Sequence, residues 1–167
     1  MSTLITTTAQ IGTIKDAGGN QNAISIDSSG RVTLPQRVAF VGKKTDTTTL
    51  NSNTSTNVTF NITDLAHASW NGTTFTVPVA GLYRIFLNGH RQSTGTAAFE
   101  LGIHKNGSMI ESAYSVSPSG GRPRASVEAL MVLAVNDAIT FRVTQGDAYA
   151  AGDTTSSGLM CSGYLIG

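Results

Sequence analysis

A 167-residue chain with 13% charged residues and a formal net charge of +1 must owe its solubility to hydroxyls and amides. That charge balance gives no electrostatic case for binding nucleic acid or an anionic membrane. Length suits one domain with roughly thirty to fifty residues left over as an arm. The single cysteine, Cys161, excludes an intrachain disulfide, and no apolar run approaches the length of a membrane span.

No long helical period appears, and apolar residues alternate through most of the chain, which predicts an all-β fold. Residues 1–22 read as an extended arm. Ile5, Thr7, Ala9 and Ile11 alternate before Asp16-Ala17-Gly18-Gly19-Asn20 breaks the run, and too few large side chains are present for a core. The first residues lack the basic start and apolar centre of a secretory signal, so synthesis in a cytoplasm is expected. On that expectation the Asn-x-Ser/Thr triplets at Asn53, Asn57, Asn61, Asn71 and Asn106 are chance products of an Asn- and Thr-rich chain.

A hairpin is predicted next: Ile24-Ser25-Ile26, the turn Asp27-Ser28-Ser29-Gly30, then Arg31-Val32-Thr33-Leu34. Two strands are marginal alone, so this segment must lie on another surface. Ile5, Ile11, Ile24, Ile26, Val32 and Leu34 are the candidate anchoring residues. Lys43 to Asn57 is a polar run expected to be a loop or exposed strand edge. The division predicted is residues 1–44 as an N-terminal β arm and hairpin, and 45–167 as a head.

Within the head, Val58, Phe60 and Ile62 alternate, and Trp70 leads to the turn dipeptide Asn71-Gly72. Phe75, Val77 and Val79 run to a corner at Pro78 and Gly81. Beyond it Tyr83, Ile85 and Leu87 share one face of a strand and Leu82, Arg84 and Phe86 the other. Large apolar groups on both faces require two covers, one of them beyond the domain's own core. Further strands are predicted at Ala98–Ile103, from Met109, over Val127–Val135, over Ile139–Val143 and over Leu159–Ile166, with polar loops at His90–Thr96, Ser117–Arg124 and Asp147–Ser157. About eight strands joined by short turns suit a two-sheet sandwich or jelly roll.

Catalytic chemistry finds little support. None of His67, His90 and His104 sits in a metal-spaced pair or beside a Gly-framed Ser, and His90 and His104 are expected to be solvated loop residues. Acidic residues are scattered singly, Asp147 and Asp153 flank a polar loop that could bind calcium on spacing alone, and Gly18-Gly19 precedes no helix. Trp70, beside its turn, is expected to cap the sandwich rather than stack on a sugar. No enzyme, cofactor or metal site is expected.

The order of motifs resembles the globular head of complement component one q, within the tumour-necrosis-factor-like jelly-roll superfamily. It runs Gly72-x-x-Phe75-x-Val77-Pro78-x-x-Gly81-x-Tyr83, then Leu101-x-x-x-Lys105-Asn106-Gly107, then Leu133-x-x-x-Asp137-x-Ile139, then Ser162-Gly163-Tyr164-Leu165-Ile166. Two departures are Cys161 where an aromatic is usual, and Asn136 where Gly usually precedes the Asp. The resemblance covers Val58 to the C-terminus and implies an antiparallel jelly roll that assembles as a tight trimer without catalysis. In the resembled fold the strands of Leu82, Glu128 and Tyr164 share the sheet that faces the threefold axis. Their outward residues Leu82, Arg84, Phe86, Glu128, Leu130, Val132, Tyr164 and Ile166 are then the candidate trimer interface, with Arg84 and Glu128 expected to pair.

The segment Ile24–Phe40 resembles, more weakly, the short β segment that precedes head domains in phage tail fibres and other virion appendages. Together the resemblances imply a trimeric virion structural protein, a phage capsid decoration or a fibre or tail appendage, assembled in the host cytoplasm and held to other virion proteins by its arm. A second expectation is a head that recognises a host receptor or glycan through loops carrying Arg91, Arg122, Arg124 and Asp147. A third is a trimer of a bacterial cell surface or spore layer.

Overall fold

The computed structural model describes residues 12–15, 18–19, 22–34, 37–45, 49–50, 57–67, 69–90, 98–116, 123–145, 148–149 and 158–167, and these contain no helix. The chain divides into two compact units, Met1–Arg37 and Val38–Gly167.

In the first unit, β1 (Thr13–Lys15), β2 (Asn22–Ile26) and β3 (Val32–Thr33) form an antiparallel sheet in that order. The predicted hairpin is β2–β3, and its turn is set by local chemistry. The Asp27 carboxylate accepts from the backbone N–H of Ser29 and Arg31 and from Arg31 Nε, and Gly30 adopts φ +75°. Arg31 holds the Asp27 carboxyl below its ordinary value, chiefly through its backbone N–H. Register sets Ile14 opposite Ile24 and Ile26 opposite Val32, so these four share one face. Ile14, Ile26, Val32 and, beyond the strand, Leu34 are exposed within the unit.

In the second unit follow β4 (Ala39–Lys44), β5 (Thr49–Leu50), β6 (Ile62–Ala66), β7 (Thr74–Thr76), β8 (Gly81–His90), β9 (Ala98–Lys105), β10 (Ser108–Val116), β11 (Arg124–Leu133), β12 (Ala138–Gln145), β13 (Ala148–Tyr149) and β14 (Leu159–Leu165). One sheet has the order β11-β8-β14-β4-β6 and the other β10-β9-β12-β7, while β13 pairs with β5. All pairings are antiparallel, and strands adjacent in space are mostly distant in sequence, as in an antiparallel jelly roll. The core lies between the two larger sheets. Tyr83, Ile85 and Leu87 of β8 meet Phe99, Leu101 and Ile103 of β9 and Ile139, Phe141 and Val143 of β12. An aromatic cluster closes one region: Phe40 stacks on Trp70 at 4.6 Å, and Phe60 meets Phe141 edge-on at 5.8 Å. Trp70, expected to cap the sandwich, is a buried member of the core cluster.

The expected boundary at 44/45 is corrected to 37/38. Ala39–Lys44 is not arm or loop but β4, hydrogen-bonded to β14 on one side and β6 on the other, with Phe40 fully buried. Periodicity missed it because its inward positions are Phe40, Gly42 and Lys44, only one of them apolar and large. Gly42 is closely packed: an added Cβ would lie 3.0 Å from the Trp70 ring and 3.1 Å from Cys161 Sγ, so these neighbours would have to give way by a few tenths of an ångström. Lys44 reaches the carbonyl of Thr59 with its ammonium. The strand expected over Val58–Ile62 also shifts, to Ile62–Ala66. Val58 and Phe60 still enter the core, from irregular backbone held by Val58 N–H to Phe141 O and Phe60 N–H to Gly72 O.

The motif residues have structural explanations. Tyr83 donates its hydroxyl to Val79 O at 2.6 Å, closing the Pro78–Gly81 corner. Asn106 and Gly107 both have positive φ, 50° and 86°, in a two-residue hairpin loop. Asn136 stands at φ 70°, a conformation Gly accepts freely and Asn tolerates, so the departure from Gly costs little. Asp137 ties these turns together, accepting from Lys105 Nζ at 2.7 Å, Asn106 Nδ2 at 2.8 Å and Ala134 N–H at 2.8 Å. The Lys105 hydrogen bond first, then the Ala134 and Asn106 bonds, lower its pKa from 3.8 to about 2. Since the folded value lies below the unfolded one, this stabilisation is present above pH 3.8 and is lost as pH falls towards 2. Over that window the thermal midpoint of the wild type is expected to fall more steeply than that of Asp137→Asn.

Gly163 on β14 faces the core where Phe40 fills the space: an added Cβ would lie 2.5 Å from Phe40 Cε1 and 2.8 Å from Ile85 Cδ1. Gly163→Ala is expected to destabilise the second unit by about 1–3 kcal/mol through overpacking, measured by urea unfolding.

Candidate functional site

Three adjacent strands, β11, β8 and β14, build the outer face of the first sheet, and their alternation decides what it carries. Inward positions feed the core. Outward positions line up in cross-strand rows fixed by register. Val132 lies opposite Leu82, and Leu82 exchanges backbone hydrogen bonds with Ile166 and Gly167. Leu130, Arg84 and Tyr164 form the next row, and Glu128, Phe86 and Ser162 the one after. All eight residues expected at the interface thus fall on one face.

Between the Leu82–Val132 row and the Phe86–Glu128 row the face is mainly apolar, with one ion pair and the hydroxyls of Ser162 and Tyr164. Leu130, Val132 and Ile166 are 62%, 76% and 51% exposed, values typical of side chains with no cover in the single chain. Arg84 grips Glu128 in a bidentate pair, Nε to Oε1 at 2.8 Å and Nη2 to Oε2 at 2.6 Å, and Arg84 Nη1 donates to the Tyr164 hydroxyl at 3.2 Å. The expected Arg84–Glu128 pairing is therefore present. Arg84 holds the Glu128 carboxyl below its ordinary value, and Glu128 raises that of Arg84, so both stay charged. Arg84, Phe86, Ser162 and Tyr164 line a shallow depression in the middle of the face.

Of the other candidates, Arg124 is exposed at the start of β11, opposite His90 and in the same outward phase as Glu128, at the far end of this face. Arg91, Arg122 and Asp147 lie outside the described residues, as do Ile5 and Ile11. Ile24, Ile26, Val32 and Leu34 belong to the first unit.

The expectation for His104 is corrected: it lies within β9 and is 5% exposed. Burial pushes its pKa down, opposed by a bond to Gly107 O and reinforced by Arg142. His90 is likewise a strand residue, at the end of β8. His67 Nδ1 contacts the Ser69 hydroxyl at 2.8 Å in a local turn. Among the described residues, no three of His, Cys, Asp and Glu converge as a metal-binding group. Cys161 is buried, which raises its thiol pKa and leaves it protonated.

The globular domain of zebrafish complement 1qA protein is similar in structure, with a TM-score of 0.60 at 17% identity, covering 78% of this chain and 98% of that one. The second unit has the C1q/TNF jelly-roll fold. Eiger TNF from S. frugiperda matches with a TM-score of 0.57 at 12% identity, over 78% of this chain and 94% of that one. Murine APRIL gives 0.57 at 11% identity, over 77% and 99%. No protein-family model and no curated protein matches the sequence. In this C1q/TNF-like head, then, the outward face of β11, β8 and β14 is the surface whose apolar content the single chain leaves unexplained.

Proposed function

We propose that the chain is a non-enzymatic structural protein of a virion, a trimeric phage capsid decoration or fibre or tail appendage. Its C1q/TNF-like head would trimerise through the outer face of β11, β8 and β14, and its N-terminal unit would attach it to another virion protein. The observation that carries the assembly is the composition of that face. Phe86, Leu130, Val132, Tyr164 and Ile166 lie together on it, and the two charges among them, Arg84 and Glu128, are paired with each other. Burial of a large apolar side chain contributes roughly 1.5–3 kcal/mol, so five from each copy suffice to offset the entropy of association. The Arg84–Glu128 pair enters such an interface mutually neutralised, which keeps its desolvation cost down.

Attachment by the first unit is supported by its one-sided sheet. Ile14, Ile24, Ile26 and Val32 share a face, and a sheet this small does not bury them by itself. In this reading Ile5, Ile11, Ile24, Ile26, Val32 and Leu34 are the anchoring residues and the virion is the location.

Two measurements test the proposal. Light scattering on the full chain is expected to give three times the 17.4 kDa chain mass. A monomer would remove the assembly half. Mass spectrometry of purified particles from an infected host is expected to find the chain in them, and its absence there would remove the virion half.

A further inference from the structure

On the outer face of the sheet β10-β9-β12-β7, a histidine is buried where a glycine gives it room. His104 of β9 stands directly opposite Met109 of β10 on one side and Thr140 of β12 on the other, and it is 5% exposed. Its Nε2, the Thr144 Cγ2 methyl and Met109 Sδ crowd over Gly102, lying 3.2, 3.2 and 3.3 Å from where a Cβ would stand. A side chain at position 102 would therefore press on the ring. The imidazole is oriented by its other nitrogen, Nδ1, which lies 3.4 Å from the carbonyl of Gly107. A carbonyl only accepts, so Nδ1 carries the proton and Nε2 is the bare nitrogen.

Nε2 is buried and has no hydrogen-bond partner among the described residues. Bare, it is an unmet neutral acceptor; protonated, it would be an unmet cationic donor, which costs far more. Thr140 Oγ1 is buried and unpartnered too, so it is not bonded to the ring. The surrounding charges do not favour a proton. Arg142 of β12 stands opposite Gly102 and repels one. Glu100 of β9, beyond Gly102, has its oxygens held by Ser112 and Thr144 at 2.8 and 2.7 Å. Lys105 is bound to Asp137, Glu111 of β10 is exposed opposite Ile103, and β7 brings the uncharged Thr74 opposite Thr140. We propose that His104 is an acid-released latch, its ring held over Gly102 while neutral and expelled past Met109 when Nε2 takes a proton.

Burial above all lowers the pKa of this ring from the ordinary 6.5, opposed by the Gly107 bond and reinforced by Arg142. The unfolded chain therefore takes the proton first. Stability owed to the neutral buried ring is full above pH 6.5 and is lost as pH falls from there through the folded value. Met109 is half exposed and unbranched, so it can swing aside and let the ring out without disturbing the core. Release also breaks the Nδ1 bond to Gly107, one tie across the β9–β10 turn. Asp137 keeps its bonds to Lys105 and Asn106 until its own carboxyl titrates at about 2, so the change stays local to the outer face.

The test is an acid titration of the full chain, followed by NMR of histidine ring and methionine methyl signals. His104 is expected to titrate below pH 6.5, and the Met109 methyl to shift with the same midpoint. His104→Gln, uncharged and similar in size, is expected to abolish the Met109 shift. Gly102→Ala, which presses a methyl against the ring, is expected to raise both midpoints together towards 6.5. Should the His104 variant not fold, the Gly102 variant carries the test. A His104 midpoint at or above 6.5 would overturn the latch. So would a Met109 methyl that stays still while the ring titrates, a Met109 shift retained in His104→Gln, or midpoints unmoved in Gly102→Ala.

Discussion

If the chain assembles as proposed, replacing Phe86 and Tyr164 together by Asp is expected to turn trimers into folded monomers. Both side chains stand on the outward rows of β8 and β14, so the core strands behind them keep their inward residues Ile85, Leu87, Cys161 and Gly163. Each aromatic removed forfeits about 1.5–3 kcal/mol of burial per copy. Each new carboxylate must also be desolvated beside symmetry-related carboxylates, a cost that grows as the face closes. The pair Arg84–Glu128 cannot rescue it, because Arg84 already gives its fork to Glu128. Light scattering would report the mass and far-UV circular dichroism the retained sheet. A double variant that remains trimeric would show that another surface holds the copies together.

The second large effect is expected at Phe40. Phe40→Ala should destabilise the head by about 3–5 kcal/mol in urea unfolding, the range for a fully buried aromatic. Phe40 stacks on Trp70, tilts against Phe75 at 4.7 Å and fills the space over Gly163, so its loss opens a cavity that several rigid rings cannot collapse into. Val32→Ser, eight positions earlier but exposed in the first unit, is expected to change head stability by no more than about 0.5 kcal/mol. Equal effects of the two substitutions would return Phe40 to the arm and undo the 37/38 boundary.

Much of this architecture was legible in the sequence because its signals are local. A two-residue period marks β8, β11 and β14, and since both faces of β8 carry large apolar groups, the existence of an outer face needing cover followed from phase alone. Turn chemistry was equally plain: Asn106-Gly107, Asn71-Gly72 and Asp27 to Gly30 form turns where their residue types demand positive φ or side-chain acceptance. The Arg84–Glu128 pair could be foreseen because strand phase sets two opposite charges on one face, where leaving either unpaired on burial would be costly.

What the sequence did not disclose depends on neighbours distant along the chain. β4 has one large inward residue, and only its pairing with β14, more than a hundred positions away, makes Phe40, Gly42 and Lys44 core-facing. His104 precedes a turn and looks solvated until Met109, Thr140 and the missing side chain of Gly102 enclose it. Sequence alone thus determined the strand phases, the turns and the apolar residues on the outer face of β11, β8 and β14, because alternation and turn propensity are properties of adjacent residues. Tertiary structure alone decided where the head begins and which histidine is buried, because long-range strand pairing and side-chain enclosure leave no periodic trace in the chain.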